Sequence, residues 1–284
     1  MDTSIICILN YNDWKTSARL VDSIVDYRLF KRILVIDNCS KDDSYVQLMD
    51  RYGNIDHIDI LRSPQNGGYA MGNNFGIRYG IKKYDPDYIF VANPDVLFEE
   101  HVASRMVETL KRDESWGVVA PLVRKGYNVW KQPGFVGSLK AMLLVSFHIE
   151  KKRIKKALQK KHGIQEAGVV EGSFFAIRRK AFEKVKGFDE ETFLYCEENI
   201  LGYRMKQAGY RTAVLADETY EHLHSQSIRK EYRSKRRAFH NFYNSFSYYL
   251  DEYVKANRLQ MLMFQAAYGI GYLERALYDL IKRK

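Results

Sequence analysis

The chain has 284 residues, 46% hydrophobic and 28% charged, with a formal net charge of +10. That length and balance suit one large domain, or a domain with a helical appendage, and exclude a disordered chain. The charge favours anionic partners: nucleotide phosphates, nucleic acid or an acidic membrane surface.

Over roughly the first 120 residues, short apolar runs alternate with segments of helical spacing. Strands are predicted at 4–10 (SIICILN), 31–37 (KRILVID), 57–63 (HIDILRS) and 87–93 (DYIFVAN). Helices are predicted between them at 14–27, 43–53 and 68–84. This alternation predicts an α/β domain with a largely parallel sheet. Residues 134–165 read as a strongly basic helical insertion. GVVEGSFFAIRRKAF returns to strand and helix, 193–209 starts extended and becomes a helix, and YRTAVLAD is a further strand. From about Ser227 the chain reads as helical, basic and aromatic.

The three cysteines are far apart and form no C-x-x-C pair, so neither a disulfide framework nor a zinc site is indicated. A reducing, cytoplasmic setting is expected. MDTSIICILNYND lacks the features of a signal peptide, and no apolar run reaches spanning length.

Ligands of parallel sheets sit at the carboxyl ends of the strands. All four predicted strands end in polar loops: Asn10-Tyr11-Asn12-Asp13, Asp37-Asn38-Cys39-Ser40, PQNGGYAMGNN and Asn93-Pro94-Asp95. Together they predict a ligand site on one edge. Asp37 is either a turn residue that caps the next helix or a carboxylate accepting the imide N–H of uracil or thymine. Gly67 and Gly68 either form a tight turn or let the backbone approach a ligand. Proline at 94 should stop the fourth strand near Asn93, leaving Asp95 as a helix cap or a ligand of Mg²⁺ or Mn²⁺. Glu197 and Glu198 open a helix, where acidic residues suit the dipole, but one could also bind an acceptor while the other takes its proton. His222 and His224 are expected on one side of a strand, as structural residues or as contacts to metal or phosphate.

The ordered motifs ILNYN, VIDNCSKD, NGGYAMGNNFGI, NPDV, GFDEETFLYCEENILGYRMKQAGYR and HLHSQS resemble family 2 glycosyltransferases of the GT-A fold. More narrowly, they are similar to bacterial rhamnosyltransferases of cell-wall or capsular polysaccharide synthesis. The resemblance implies a catalytic domain over 1–227, with a nucleotide-sugar half to about 97, an acceptor half from about 98, and a helical extension over 228–284. It implies a nucleotide-sugar site at Tyr11, Asn12, Asp37, Asn66, Gly67, Gly68, Asn74, Asn93 and Asp95. Acceptor contacts are implied at Glu171, Gly172, Glu197 and Arg204, the catalytic base at Glu198 with Glu197 beside it, and metal contacts at Asp95 with His222 or His224. Asn93 departs from the family's first metal-site aspartate, and Glu198 from its usual catalytic aspartate. The Q-x-x-R-W element of processive synthases is absent.

The implied reaction is inverting transfer of one sugar, from dTDP-rhamnose or a UDP-sugar, to a saccharide or lipid-linked acceptor, with Mn²⁺ or Mg²⁺. A nucleotidyltransferase lacks support in NYNDWK; a non-catalytic sugar-nucleotide-binding subunit is the reading from another class. The basic helices are expected to pack on the catalytic domain, to contact another subunit in a homodimer, or to lie peripherally on the inner face of the membrane. Nucleic acid is not expected as a partner.

Overall fold

The computed structural model describes residues 3–158, 161–223 and 235–282. The first part runs β1 (Ser4–Asn10), α1 (Trp14–Ile24), β2 (Phe30–Asp37), α2 (Ser44–Tyr52), β3 (Ile58–Arg62), α3 (Gly68–Tyr84) and β4 (Tyr88–Ala92). The expected alternation is present, with small differences at the element ends. There follow β5 (Val96–Leu97), α4 (Glu100–Arg112), β6 (Trp116–Val123), β7 (Val129–Trp130), α5 (Phe135–Met142) and α6 (Leu144–Leu158). Then come β8 (Ile164–Ala167), β9 (Val169–Val170), β10 (Phe174–Arg178), α7 (Arg179–Lys184), α8 (Glu197–Gln207) and β11 (Arg211–His222). Two last helices, α9 (Lys235–Tyr249) and α10 (Arg258–Lys282), flank a π-helical turn at Leu250–Val254.

The main sheet has the order β3-β2-β1-β4-β10-β6-β11-β5, with β8 also on β11. Strands β1 to β4 pair in parallel. Strand β10 is antiparallel to both β4 and β6, and β11 is parallel to β6. The sheet is thus parallel in the first half and mixed in the second.

Side chains alternate across a strand, so β1 sends Ile6 and Ile8 to one layer and Ile5 and Cys7 to the other. Helices cover both faces, which is why β1 and β4 read as continuous apolar runs. Helix α3 lies unusually close to the sheet. A Cβ on Gly76 would fall 2.4 Å from Ile36 Cγ1, and one on Gly80 2.4 Å from Ile5 Cδ1. Glycine at this fourfold spacing makes the seam between helix and sheet.

Two expectations change. The segment after Asp95 is not a helix that Asp95 could cap: Val96 and Leu97 pair with His222 and Glu221 of β11. The basic insertion is helical, but in two pieces, α5 and α6, that break at Leu143, and its end at 164–165 belongs to the edge strand β8. The C-terminal helices pack on the α/β domain. Phe239, Phe246, Tyr249, Leu250 and Phe264 form one buried cluster with Met142 of α5 and with Cys196 and Ile200 at α8.

Candidate functional site

At the carboxyl end of β2, Asp37 is fully buried. Its carboxylate accepts hydrogen bonds from Asn10 Nδ2 at 3.0 Å and from the Ser40 backbone N–H at 3.1 Å, with Arg62 Nε 3.8 Å away. A carboxylate has about four acceptor positions, so capacity remains for a base N–H. Tyr11 follows β1 half-buried. Asn12 adopts φ 50°, donates its N–H to Ser40 Oγ at 2.9 Å and accepts from the Lys41 N–H at 2.8 Å. Asn66 Oδ1 accepts from Asn38 Nδ2 at 3.0 Å and from the Gly68 N–H at 3.1 Å. Gly68 has φ +82°, and a Cβ there would meet the Phe193 carbonyl oxygen at 1.9 Å. The glycine loop is therefore laid against the loop that leads into α8.

Asn93 donates its backbone N–H to the Ser173 carbonyl at 2.8 Å. Asp95 is buried, and its Oδ1 lies 3.2 Å from His222 Nε2. The β5–β11 pairing, with Val96 opposite His222, puts these two residues together. Burial works against the imidazolium, but the Asp95 hydrogen bond and the charges of Asp95 and Glu171 outweigh it and raise the His222 pKa. His224 lies outside the described residues. Among the described residues no group of three or more His, Cys, Asp or Glu side chains is arranged to hold a metal ion by itself. Mg²⁺ and Mn²⁺ commonly take one or two protein ligands and complete their shell with substrate phosphates and water. Asp95 and His222 fit that requirement.

Opposite them lies a second acidic group. Glu171 follows β9, and its Oε1 is 3.9 Å from His222 Nδ1. Its pKa is pushed up to about 7, chiefly by burial; the His222 charge opposes this, and those of Glu198 and Asp95 add to it. Glu198 Oε1 accepts the Gly172 N–H at 3.1 Å, and Tyr69 Oη donates to the Gly172 carbonyl at 2.6 Å. Burial raises the pKa of Glu198, against the pull of backbone hydrogen bonds. It raises Glu197 well above its ordinary value, with Glu198's charge adding to the effect. Glu197 is 3% exposed and its Oε1 has no partner among the described residues.

The backbone leading into α8 is strained. Tyr195 and Cys196 take φ 76° and 71°, the left-handed region that costs non-glycine residues free energy. Ser245 Oγ and Asn241 Nδ2 of α9 donate to the preceding Leu194 carbonyl, at 2.8 and 3.3 Å. The C-terminal helices thus hold the turn that aims both glutamates. Sequence reading missed Tyr69, Ser245 and Asn241, and only Tyr69, inside the glycine motif, carried a local signal.

Gly172 leaves little room. A Cβ there would sit 2.8 Å from Tyr69 Oη and 3.1 Å from Glu198 Oε1. Gly172→Ala is therefore expected to displace Glu198 and lower kcat by about 10- to 100-fold with little change in donor affinity, measured by steady-state kinetics and calorimetry.

Two sequence-predicted residues occupy structural positions. Asn74 is fully buried; its Nδ2 donates to the Phe188 carbonyl at 2.9 Å and to Glu190 Oε1 at 2.7 Å, and its Oδ1 accepts the Phe188 N–H at 3.0 Å. Arg204 lies two helical turns beyond Glu197 and is bound to Asp189 at 2.8 Å and to Tyr253 Oη at 3.0 Å. Tyr248 and Tyr253 also donate to Asp189. Burial would raise the Asp189 pKa, but the Tyr253 bond, the Glu191 N–H, the Arg204 charge and Tyr248 together hold it below the ordinary value. Both residues brace the loops around the site rather than line it. Arg204→Ala is expected to lower folding stability by about 2 kcal/mol, read by urea denaturation, while leaving the acceptor KM unchanged. Because the folded-state pKa of Asp189 is lowered, its stabilisation is full above the ordinary carboxylate pKa. It is lost as pH falls through the lowered one.

The mixed sheet, parallel in its first half and flanked by helices, has the GT-A fold. The chain is a member of glycosyl transferase family 2, whose profile matches residues 5–186. Rhamnosyltransferase WbbL of Escherichia coli is 31% identical over 201 residues, which is 63% of this chain and 68% of that protein. The low-salt glycan biosynthesis hexosyltransferase Agl10 of Haloferax volcanii is 24% identical over 250 residues, 87% and 75% of the two chains. The N-acetylglucosaminyl-diphospho-decaprenol L-rhamnosyltransferase of Mycobacterium tuberculosis is 27% identical over 222 residues, 73% and 71%. Among solved structures, the mannosyltransferase PcManGT from Pyrobaculum calidifontis, in complex with GDP-Man and Mn²⁺, aligns with TM-score 0.59 at 14% identity, covering 93% of this chain and 73% of that one. GalNAc-T7 with UDP, GalNAc and Mn²⁺ aligns with TM-score 0.59 at 16% identity over 79% of this chain, which spans 44% of that one. These structural matches establish the fold.

Proposed function

We propose that the chain transfers a single L-rhamnose from dTDP-rhamnose to a saccharide carried on a lipid diphosphate, with inversion, in building a bacterial surface polysaccharide. The observation that carries the reading is the environment of Glu171. Its carboxylate lies 3.9 Å from His222, which is paired with Asp95, and it feels the charges of Asp95 and Glu198, so the metal-side pair and the candidate base both act on this one group. The names of the E. coli and M. tuberculosis relatives support the sugar.

Asp37 binds the base, and the loop at Asn66, Gly67 and Gly68 borders the sugar diphosphate. Glu198 takes the proton of the acceptor hydroxyl. The hydroxyl oxygen bonds to the anomeric carbon as the bond from that carbon to the phosphate oxygen breaks, and dTDP leaves with the electron pair. Glu171, with a pKa near neutrality, is available to orient the acceptor hydroxyl. When bound, Mn²⁺ or Mg²⁺, held by Asp95 and His222, supplies Lewis-acid neutralisation of the diphosphate. The Mn²⁺ in the GT-A neighbours supports a divalent ion here.

The acceptor side is basic. Helix α6 exposes Lys151, Lys152, Arg153 and Lys156 together with Val145 and Ile149. Lys151 Nζ lies 5.5 Å from the centre of the Tyr127 ring, and its charge acts on Glu171. A basic and apolar face beside the acceptor site suits a lipid diphosphate at an anionic membrane surface. No helix among the described residues is long and apolar enough to cross a membrane, so the contact we propose is peripheral, at the inner face.

The test is transfer from dTDP-rhamnose to a synthetic N-acetylglucosaminyl diphospholipid, read as dTDP release and mass of the product. Turnover with a UDP-sugar alone would replace the donor assignment. Donor binding without turnover on any saccharide lipid would favour a non-catalytic subunit.

A further inference from the structure

Helix α10 buries one side and leaves the other bare. Phe264 and Ala267 enter the C-terminal core beside Met142. On the opposite side Leu259, Ala266, Leu273 and Leu280 recur every seven residues, and Met263, Ile270 and Leu277 each follow four residues later. All seven are exposed; Leu259 and Leu273 are 67% and 62% accessible. The stripe is about 32 Å long at 1.5 Å per residue. At roughly 100 Å² per side chain it presents on the order of 700 Å², close to what one partner contributes to a standard interface and more than monomers commonly expose in one patch.

We propose that this face pairs with the same face of a second copy of the chain, forming a two-fold homodimer through α10. Strict sevenfold recurrence is the spacing of a helix–helix seam. Ala266 and Gly269 are small enough to let two helices approach closely. The charge pattern separates this face from a lipid-binding one. From Leu259 to Leu273 there is no Asp, Glu, Lys, Arg or His, whereas a helix lying on an anionic membrane carries Lys and Arg along its polar flanks. Helix α6 carries such a charge, with Lys151, Lys152, Arg153 and Lys156 exposed. The apolar stripe matches itself and leaves no charge to bury unpaired. The inference depends on α10 alone and stands or falls separately from the transferase reading.

Sedimentation equilibrium on the full chain tests it. The wild type should weigh twice the chain mass at micromolar concentration. Ile270 is near the middle of the stripe, so it meets its own copy in either a parallel or an antiparallel two-fold pair. Ile270→Glu and Ile270→Lys should each raise the dimer Kd by about 100-fold or more, with an unchanged helical circular dichroism signal. An equimolar mixture of the two should dimerise again. If a charged variant fails to fold, Ile270→Gln replaces it, with an expected weakening of about tenfold. A wild type that stays monomeric overturns the proposal, as does a dimer indifferent to all three substitutions. A monomer that co-sediments with phosphatidylglycerol vesicles, and stops doing so on Ile270→Glu, also overturns it and assigns the face to the membrane.

Discussion

Glu198→Gln is expected to reduce transfer by about 10²- to 10⁴-fold while leaving dTDP-sugar affinity unchanged, because the substitution removes the proton acceptor and little else. Glu198 is half-buried and accepts the Gly172 N–H, a bond glutamine can still accept. The neighbouring carboxyl supplies the control. Glu197 is buried, and burial and the Glu198 charge raise its pKa well above the ordinary value, which favours the neutral acid and disfavours it as base. Glutamine is nearly isosteric with a protonated glutamate, so Glu197→Gln should stay within about tenfold of wild type. Equal residual rates for the two variants would remove the assignment of base to Glu198. The pH profile gives a second reading. A base acts only as carboxylate, and burial raises the Glu198 pKa. Wild-type kcat should therefore fall as pH drops through that raised value, and the small residual rate of Glu198→Gln should lack this limb.

Asp95→Ala is expected to abolish the enhancement of dTDP binding by Mn²⁺, a loss of about 100-fold in the presence of metal and little change without it. The size follows from the several kcal/mol that a cation contributes at a phosphoryl oxygen. Titration calorimetry of dTDP and UDP, each with and without Mn²⁺, makes the comparison and shows which base Asp37 prefers. Asn93 supplies no carboxylate in this chain, so Asp95 has no acidic neighbour in its own motif to take over. His222 would lose the hydrogen bond and charge that hold its pKa up, and its protonated fraction should fall in the variant. Binding that ignores both metal and Asp95 would leave a nucleotide site and remove the cation from the mechanism.

The nucleotide half was legible because its determinants are local. Each strand announces itself by three to five apolar residues, and each functional loop follows its strand directly in the chain. Asp37 and the glycine loop sit where that rule puts them. Asp95 was placed correctly at the end of β4, yet the segment after it was read as helix. Two residues of strand carry too short a pattern to recognise, and their pairing partner lies more than 120 residues away. Asn74 and Arg204 were read from their motif positions as ligand contacts, but both side chains turn to the loop at Gly187–Glu190. A motif position does not say which way a side chain faces.

By itself the sequence determined the alternating α/β half, the edge of the sheet that carries the loops, the pair of glutamates opening α8, and the helical character of the C-terminal region. All of these follow from periodicities of two or 3.6 within a single segment. Only the tertiary structure decided that His222 meets Asp95, that Glu197 is buried while Glu198 is half-buried, and that α9 holds the strained turn before α8. It also decided which side of α10 is covered. Those relations join residues far apart in the chain, and burial, which sets the protonation of each acid, exists only after the elements have packed.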